Sequence, residues 1–225
     1  DKELKYLSKI NFNKNLVVLL GGAKVSTKLG MIKHFLNKAD YILIGGAMSF
    51  TFLKACGYNV GKSLVEESML GEAESILNDS KSSNTRIVLP VEFICAKKKS
   101  NDAISKTRLL SGIKNDDMGL DIGTNTINDF SDIIKKSSSI IWNGPMGAFE
   151  LDPFKLGTNI LAENIAKLTK DRKIISIVGG GDTASAIINL GIDSFFSHVS
   201  TGGGASLQLL SGLKLQLFES WEKYE

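Results

Sequence analysis

Short apolar runs alternate along this chain with longer stretches whose apolar residues recur every three or four positions. That alternation is the strongest constraint on the fold. The runs Leu16–Leu20, Tyr41–Gly45, Ile87–Leu89, Ile140–Trp142, Ile174–Val178 and Phe195–Val199 are rich in β-branched, aromatic and leucine residues and predominantly apolar on both faces. Parallel strands covered by helices on both sides have this character. Between them, helical spacing links Val25, Leu29, Ile32, Phe35 and Leu36; Val65, Met69, Ala73, Ile76 and Leu77; Ile160, Leu161, Ile165 and Leu168; and Leu207, Leu210, Leu213 and Leu217. A helix-like string with Ala184, Ala186, Ile187 and Ile188 follows the fifth run. The rhythm predicts an α/β fold: a doubly wound, three-layer α/β/α Rossmann-like domain with a mostly parallel sheet of about six strands. Residues 97–126 break the rhythm and are expected to form a loop with a small strand pair. Asn78–Thr85 reads as a polar surface turn.

Composition limits what such a domain can bind. The net charge of +3, from 27 basic and 24 acidic residues, is too mild for a nucleic-acid partner but tolerates an anionic ligand. Both signs are interspersed, and the run Lys97-Lys98-Lys99 reads as a solvated loop. No apolar run reaches the roughly 18 residues of a membrane span, and no signal-peptide pattern is expected. Two cysteines, Cys56 and Cys95, make no disulfide framework, so a reducing, cytoplasmic setting is the expectation. With only two histidines, His34 and His198, a His/Cys zinc site is not expected. Both read as packing or surface residues.

Glycines stand at strand exits four times: Gly21-Gly22, Gly45-Gly46, Gly179–Gly181 and Gly202–Gly204. In an open α/β sheet, ligands bind outside the carboxyl ends of the strands. Glycine lets backbone amides approach a ligand closely, and a helix starting there adds unpaired N–H groups and a positive dipole end. Four such turns on one edge point to an anion site, most naturally for phosphate. Gly179 to Ala184 formally fits the dinucleotide fingerprint G-x-G-x-x-A, which keeps an NAD-dependent oxidoreductase domain as an alternative. That motif expects an early βαβ unit and a carboxylate about 20 residues on; here it comes late and the acid is missing. "CGYNVGKS" (56–63) misses the Walker A spacing by one residue.

"LLGGAKVSTK" leaves the first strand with Lys24 and Lys28 four positions apart, a spacing that puts both on one face of a starting helix. Cations there oppose the helix dipole, a conflict that a multiply charged anion removes. Asp182 sits at another helix start, where it can cap the helix or supply a hard oxygen to Mg²⁺ bridging phosphates. In "WNGPMGAFE", Asn143 offers an amide to a base or phosphate, and Glu150 a carboxylate to ribose hydroxyls.

Six segments, "GGAKVSTK" (21–28), "IGGAMSFTF" (44–52), "MGLDIG" (118–123), "IWNGPMGAFE" (141–150), "GGGDTA" (179–184) and "SHVSTGGGASL" (197–207), occur in this order. In that order they resemble phosphoglycerate kinases, specifically the C-terminal, nucleotide-binding half. The likeness covers essentially the whole chain. It implies that residues 1–15 are the remnant of an interdomain helix, that 16–225 form the nucleotide-binding domain, and that the N-terminal domain holding 3-phosphoglycerate is absent. It implies reversible phosphoryl transfer between 1,3-bisphosphoglycerate and Mg·ADP, giving 3-phosphoglycerate and Mg·ATP, by a cytoplasmic monomer with no nucleic-acid or membrane partner. Under the resemblance, Lys24 accompanies the transferred phosphoryl group and Lys28 holds nucleotide phosphates. Asp182 binds Mg²⁺, while Gly180, Gly181 and Thr183 donate to phosphate. Asn143 contacts the nucleotide and Glu150 the ribose. Gly22, Gly45, Gly46, Leu64, Gly119 and Leu120 form a flat adenine slot, and Gly203 and Gly204 aim a second helix start at the reacting phosphates. A chain lacking the partner domain is expected to bind ATP or ADP yet turn over little.

The chain departs from the family pattern in places. Ala47 replaces a common third glycine, Thr124 follows "DIG" where proline is frequent, and Glu92 stands where Asp is usual. Gln208 replaces a common Glu and the tail reads "GLKLQLF". These last changes bear on interdomain packing rather than on nucleotide binding.

Overall fold

The computed structural model describes residues 15–172 and 174–202. The terminal helix expected over residues 1–15, the periodic stretch Leu207–Leu217, and Gly203, Gly204 and Gln208 lie outside the described residues, apart from Asn15. Nine strands are described: β1 (Leu16–Leu20), β2 (Tyr41–Ile44), β3 (Arg86–Val88), β4 (Glu92–Ala96), β5 (Lys106–Leu109), β6 (Met118–Ile122), β7 (Ser139–Asn143), β8 (Ile175–Gly179) and β9 (His198–Ser200). Six helices accompany them: α1 (Leu29–Phe35), α2 (Met48–Ala55), α3 (Leu70–Lys81), α4 (Thr124–Ile134), α5 (Leu156–Arg172) and α6 (Gly181–Asn189).

The main sheet has six strands in the order β3-β2-β1-β7-β8-β9. Every pairing in it is parallel, as continuous apolar runs demand. The order runs outward in sequence on both sides of a switch point between β1 and β7, the doubly wound pattern. Each side of the sheet buries its own cluster. One contains Leu16, Val18, Leu20, Ile42 and Ile44 with Met31, Ile32 and Phe35 of α1 and Ala73 and Ile76 of α3. The other contains Val17, Leu19, Ile140 and Trp142 with Phe130 of α4 and Leu161 and Ile165 of α5. Alternate residues of β1 thus serve opposite layers, the period-two consequence of a strand covered on both faces.

Four expectations need correction. Asn78–Thr85 is not a surface turn throughout: Asn78 to Lys81 complete α3 and Thr85 is buried. Residues 97–126 are not a loop with one strand pair. They belong to a separate antiparallel sheet, β5-β4-β6, whose middle strand lies just upstream of that stretch. β5 reads Lys-Thr-Arg-Leu and is largely exposed, so it carries no apolar alternation to detect. The last strand is shorter than Phe195–Val199. Asp193–Phe195 form a 3₁₀ turn, Phe195 is exposed beside Lys170, and only His198–Ser200 pair with β8. Fourth, Lys24 and Lys28 share no helical face. Val25 to Lys28 form a turn closed by the Lys28 N–H donating to Val25, and α1 begins only at Leu29. The helix α2 adds an element that periodicity does not mark. Met48 to Leu53 are all buried, so no polar face alternates with an apolar one.

Glu92 accounts for one family departure. Its buried carboxylate accepts from the Asn125 backbone N–H at 2.8 Å and from the Asn125 Nδ2 at 3.0 Å, satisfying a first-turn donor of α4 from a neighbouring strand. The longer Glu side chain reaches that helix end directly.

Phe130 has no exposed surface and joins α4 to the β1/β7 side of the sheet. A Phe130→Ala variant is expected to lose about 3–5 kcal/mol of stability, read as a lower urea midpoint with an unchanged denaturant slope.

Candidate functional site

The turns after β1, β2 and β7 meet at the switch point and are bonded to one another through backbone alone. Gly21 N–H donates to the Asn143 carbonyl at 2.9 Å, Gly22 to Pro145 at 2.8 Å, Gly46 to Met146 at 3.0 Å, and Met48 to Gly22 at 2.9 Å. No side chain fits in this seam. A Cβ on Gly21 would lie 2.2 Å from the Pro145 carbonyl oxygen, and one on Gly144, at φ +97°, would lie 2.2 Å from the Gly21 oxygen.

A cleft of about 710 Å³ opens beside the seam, a size suited to a small-molecule ligand. Of the residues singled out in the sequence, it is lined by Gly22, Gly46, Leu64, Gly119, Leu120, Glu150 and Asp182. Gly45 lies behind this lining, packed on Met146: an added Cβ would sit 2.3 Å from the Met146 Sδ. At one end the cleft is flat and apolar. Gly119 lies on the ring of Phe50, whose centroid is 4.6 Å from that of Phe93, and Leu64 stands 55% exposed at the rim. The wall is completed by a bulge. Ile94 of β4 faces Asp121 and Cys95 faces Gly119, leaving Leu120 unpaired. Its carbonyl accepts instead from the Ala148 N–H at 2.8 Å. Bulges redirect a strand in this way beside functional sites.

Asp182 closes the other end, in the first turn of α6. Gly180 precedes that helix at φ +97°, and Gly181 and Asp182 are exposed. Thr183 is buried, and its hydroxyl accepts from the Gly144 N–H at 2.7 Å, so its side chain holds the β7 turn against α6. Asn143 ends β7 with no exposed surface. Its Oδ1 accepts from the Lys28 Nζ, while its Nδ2 has no hydrogen-bond partner. A buried amide donor left open is costly unless a ligand accepts from it. Lys28 is itself mostly buried; desolvation pushes its pKa down to about 8, against the pull of the Asp182 charge. Lys24 is exposed in the loop above, which Ser26 ties to Glu66 through both its N–H at 3.0 Å and its hydroxyl at 2.5 Å.

No group of three or more metal-ligating side chains occurs among the described residues. One exposed carboxylate at a helix start suits Mg²⁺ held mainly by substrate phosphates and water, not a metal caged by protein.

Sequence reasoning missed six participants. Phe50, Phe93, Lys62, Lys99 and Asp121 line the cleft, and Glu66 anchors the Lys24 loop. Lys99 belongs to the run expected to be a solvated loop. It is half exposed but pairs with Glu150 at 2.7 Å. Burial works to raise the Glu150 pKa; the hydrogen bond and charge of Lys99 outweigh it and hold the group below its ordinary range. Lys97 pairs with Asp116 and Asp117, and Lys98 with Asp102. Lys98 and Asp102 are four residues apart, whereas Lys97 and Lys99 pair with distant segments, and sequence does not reveal which segments meet.

The family model for phosphoglycerate kinase matches residues 1–213. A phosphoglycerate kinase of Thermosipho africanus is 50% identical over 96% of this chain and 54% of the relative, and one of Fusobacterium nucleatum is 49% identical over 94% and 52%. Among solved structures, phosphoglycerate kinase from Coxiella burnetii superposes with a TM-score of 0.89 at 38% identity, covering 94% of this chain and 54% of that one. The enzyme from Pyrococcus horikoshii gives 0.79 at 30% identity, covering 98% and 54%. The chain therefore spans about half the length of the relatives it matches.

Burying Lys28 sets the sign of one pH effect. The unfolded chain keeps this proton up to the ordinary value of 10.5 while the folded one releases it near 8. Between these values the unfolded state binds more protons, so this lysine makes stability rise with pH across that window. Lys28→Met is expected to remove that rise, measured as the difference between wild-type and variant unfolding free energies from about pH 8 to about pH 10.5.

Proposed function

Since the chain belongs to the phosphoglycerate kinase family, we propose that it forms the nucleotide side of that enzyme. It binds Mg·ADP or Mg·ATP in the cleft and acts in reversible phosphoryl transfer with 1,3-bisphosphoglycerate. The observation that carries this reading is the continuity of the cleft: one cavity runs from a flat glycine- and phenylalanine-walled slot to Asp182 at a helix start. A base, a ribose and a chain of phosphates have that succession of chemistries.

In this reading the base lies against Gly119 and Phe50, between Gly22, Gly46, Leu64 and Leu120. The slot offers these walls without a charged side chain, so stacking and desolvation hold the base. Glu150 accepts from ribose hydroxyls after exchanging its contact with Lys99. Lys28 and the open Asn143 Nδ2 hold phosphate oxygens, with the N–H groups of Gly180, Gly181 and Thr183 at the start of α6. Asp182 holds the Mg²⁺, which when bound neutralises charge on the phosphate oxygens. Lys24, on its exposed loop, follows the moving phosphoryl group.

The transfer needs no nucleophilic side chain. The bond from phosphorus to the acyl oxygen of 1,3-bisphosphoglycerate breaks, a bond to a terminal oxygen of ADP forms, and 3-phosphoglycerate leaves as a carboxylate. Positioning and charge neutralisation supply the catalysis. Gly203 and Gly204 complete the phosphate cradle in this proposal. The phosphoglycerate substrate is held by a domain beyond these 225 residues, and residues 1–15 belong to the connection toward it. The full enzyme is proposed as a cytoplasmic monomer. Both cysteines are free, and no helix among the described residues is long and apolar enough to cross a membrane.

Calorimetric titration with ADP, with and without Mg²⁺, tests the reading. Wild-type chain should bind more tightly with the metal, and Asp182→Ala should lose that difference. Lys28→Met should weaken ADP by about tenfold to a hundredfold, the worth of a charged hydrogen bond. A folded chain with no saturable ADP signal overturns the proposal. A coupled assay for ATP formation should find little turnover by these 225 residues alone, and sustained turnover would overturn the assignment of the phosphoglycerate site to another domain.

A further inference from the structure

Behind the slot lies a carboxylate that the nucleotide reading does not use. Asp121 is 3% exposed, in a wall of the cleft between Leu120 and Ile122. Its Oδ1 accepts from the Ile122 N–H at 2.9 Å and its Oδ2 from the Gly157 N–H at 2.8 Å, in the first turn of α5. Two glycines make room for it. A Cβ on Gly147 would lie 2.2 Å from Oδ1, and one on Gly157 2.5 Å from the same oxygen. The carboxylate therefore sits where three slot-forming pieces converge: the bulged strand β6, the turn carrying Met146 to Glu150, and the start of α5. Thr158 strengthens the same junction by accepting from the Met146 N–H at 3.0 Å.

We propose that Asp121 is a positioning residue for the nucleotide, its carboxylate tying the β6 wall to the start of α5, from which Thr158 holds the 146–150 turn, and thereby setting the fit of the base and ribose. The inference rests on the nucleotide reading of the cleft. Its physical basis is the double acceptance. An ionised carboxylate takes both N–H groups as a charged acceptor; a protonated one carries a hydroxyl on one oxygen and accepts there more weakly. Burial pushes the Asp121 pKa up to about 7, against the two backbone donors. The fit of the slot is thus exposed to pH near neutrality.

Other titratable groups lie on the surrounding elements. Glu92 on β4 is bonded to Asn125, and Cys95 is pushed up to about 12 by burial and the Asp117 charge. Glu150 pairs with Lys99, and Lys155 with Asp152 ahead of α5. Asp117 at the head of β6 pairs with Arg108. Asp182 and Lys62 line the same cleft. None contributes a charge effect on Asp121, whose shift comes from burial and backbone donors alone.

Adenosine is the probe, since it lacks the phosphates that engage Lys28 and Asp182 and stays neutral over the range used. The measurement is its affinity for this chain by calorimetric competition against ADP, from about pH 8 to about pH 6. Binding that prefers the ionised carboxyl must weaken as pH falls. If binding lowers the Asp121 pKa by about one unit, affinity drops about fivefold over that range. Asp121→Asn should bind weakly at every pH, with a flat profile, since its amide offers one acceptor and turns an N–H donor against another. The histidines remain in that variant, so the difference between the profiles belongs to Asp121. Gly147→Ala, which displaces the carboxylate without removing its charge, should also weaken adenosine and keeps the test open if Asp121→Asn does not fold by thermal unfolding. A flat wild-type profile, or wild-type affinity and pH dependence in Asp121→Asn, overturns the inference while leaving ADP binding intact. Absence of ADP binding by the folded wild-type chain overturns the nucleotide reading and this inference together.

Discussion

The site depends on a seam of backbone hydrogen bonds in which no side chain takes part. Gly21, Gly22 and Gly46 donate across the switch point to Asn143, Pro145 and Met146. These bonds hold the ends of β1, β2 and β7 so close that a methyl group at Gly21 or Gly144 would overlap a carbonyl oxygen. A parallel sheet alone would leave the three turns free to splay. Bonded, they form one ledge beside the cleft, which Asp182 at the start of α6 also lines. Backbone donors held this way are preorganised, with no side-chain entropy to lose.

Charge in this region is arranged around incomplete satisfaction. Lys28 is buried beside Asn143 and shifted toward neutrality, and the Asn143 Nδ2 has no partner. Each group is held in a state that an anion would improve. Asp182 and Lys24 stand exposed instead. The proposed side-chain contacts to phosphate thus divide into two kinds, prearranged buried donors and exposed surface charges.

Much of this was legible in the chain. Uniform apolar runs fixed β1, β2, β7 and β8 to within a residue or two, because strands buried on both faces leave no other pattern. Glycine pairs marked the turns, because close approach at Gly21 and Gly46 and a positive φ at Gly22 disfavour other residues. What stayed hidden was decided by distant partners. β5 is polar and exposed and exists only because β4 pairs with it. The helix α2 is buried nearly all round and so lost the stripe that identifies a surface helix. Lys24 and Lys28 looked like helical neighbours, but the turn from Val25 to Lys28 spends that spacing before the helix begins. Asp121 resembled any acid in a strand, and only the two glycines around its carboxylate, from segments far along the chain, reveal its burial.

The bulge at Leu120 carries a consequence for how such a cleft can change. It belongs to β6, in the small antiparallel sheet, whereas the glycine ledge and α6 belong to the large parallel one. The two ends of the cleft are therefore inherited from different hydrogen-bonded frameworks. The frameworks meet at few bonds, the Ala148 N–H on the Leu120 carbonyl and the Gly157 N–H on Asp121 among them, so a change in the small sheet reaches the ledge through those contacts.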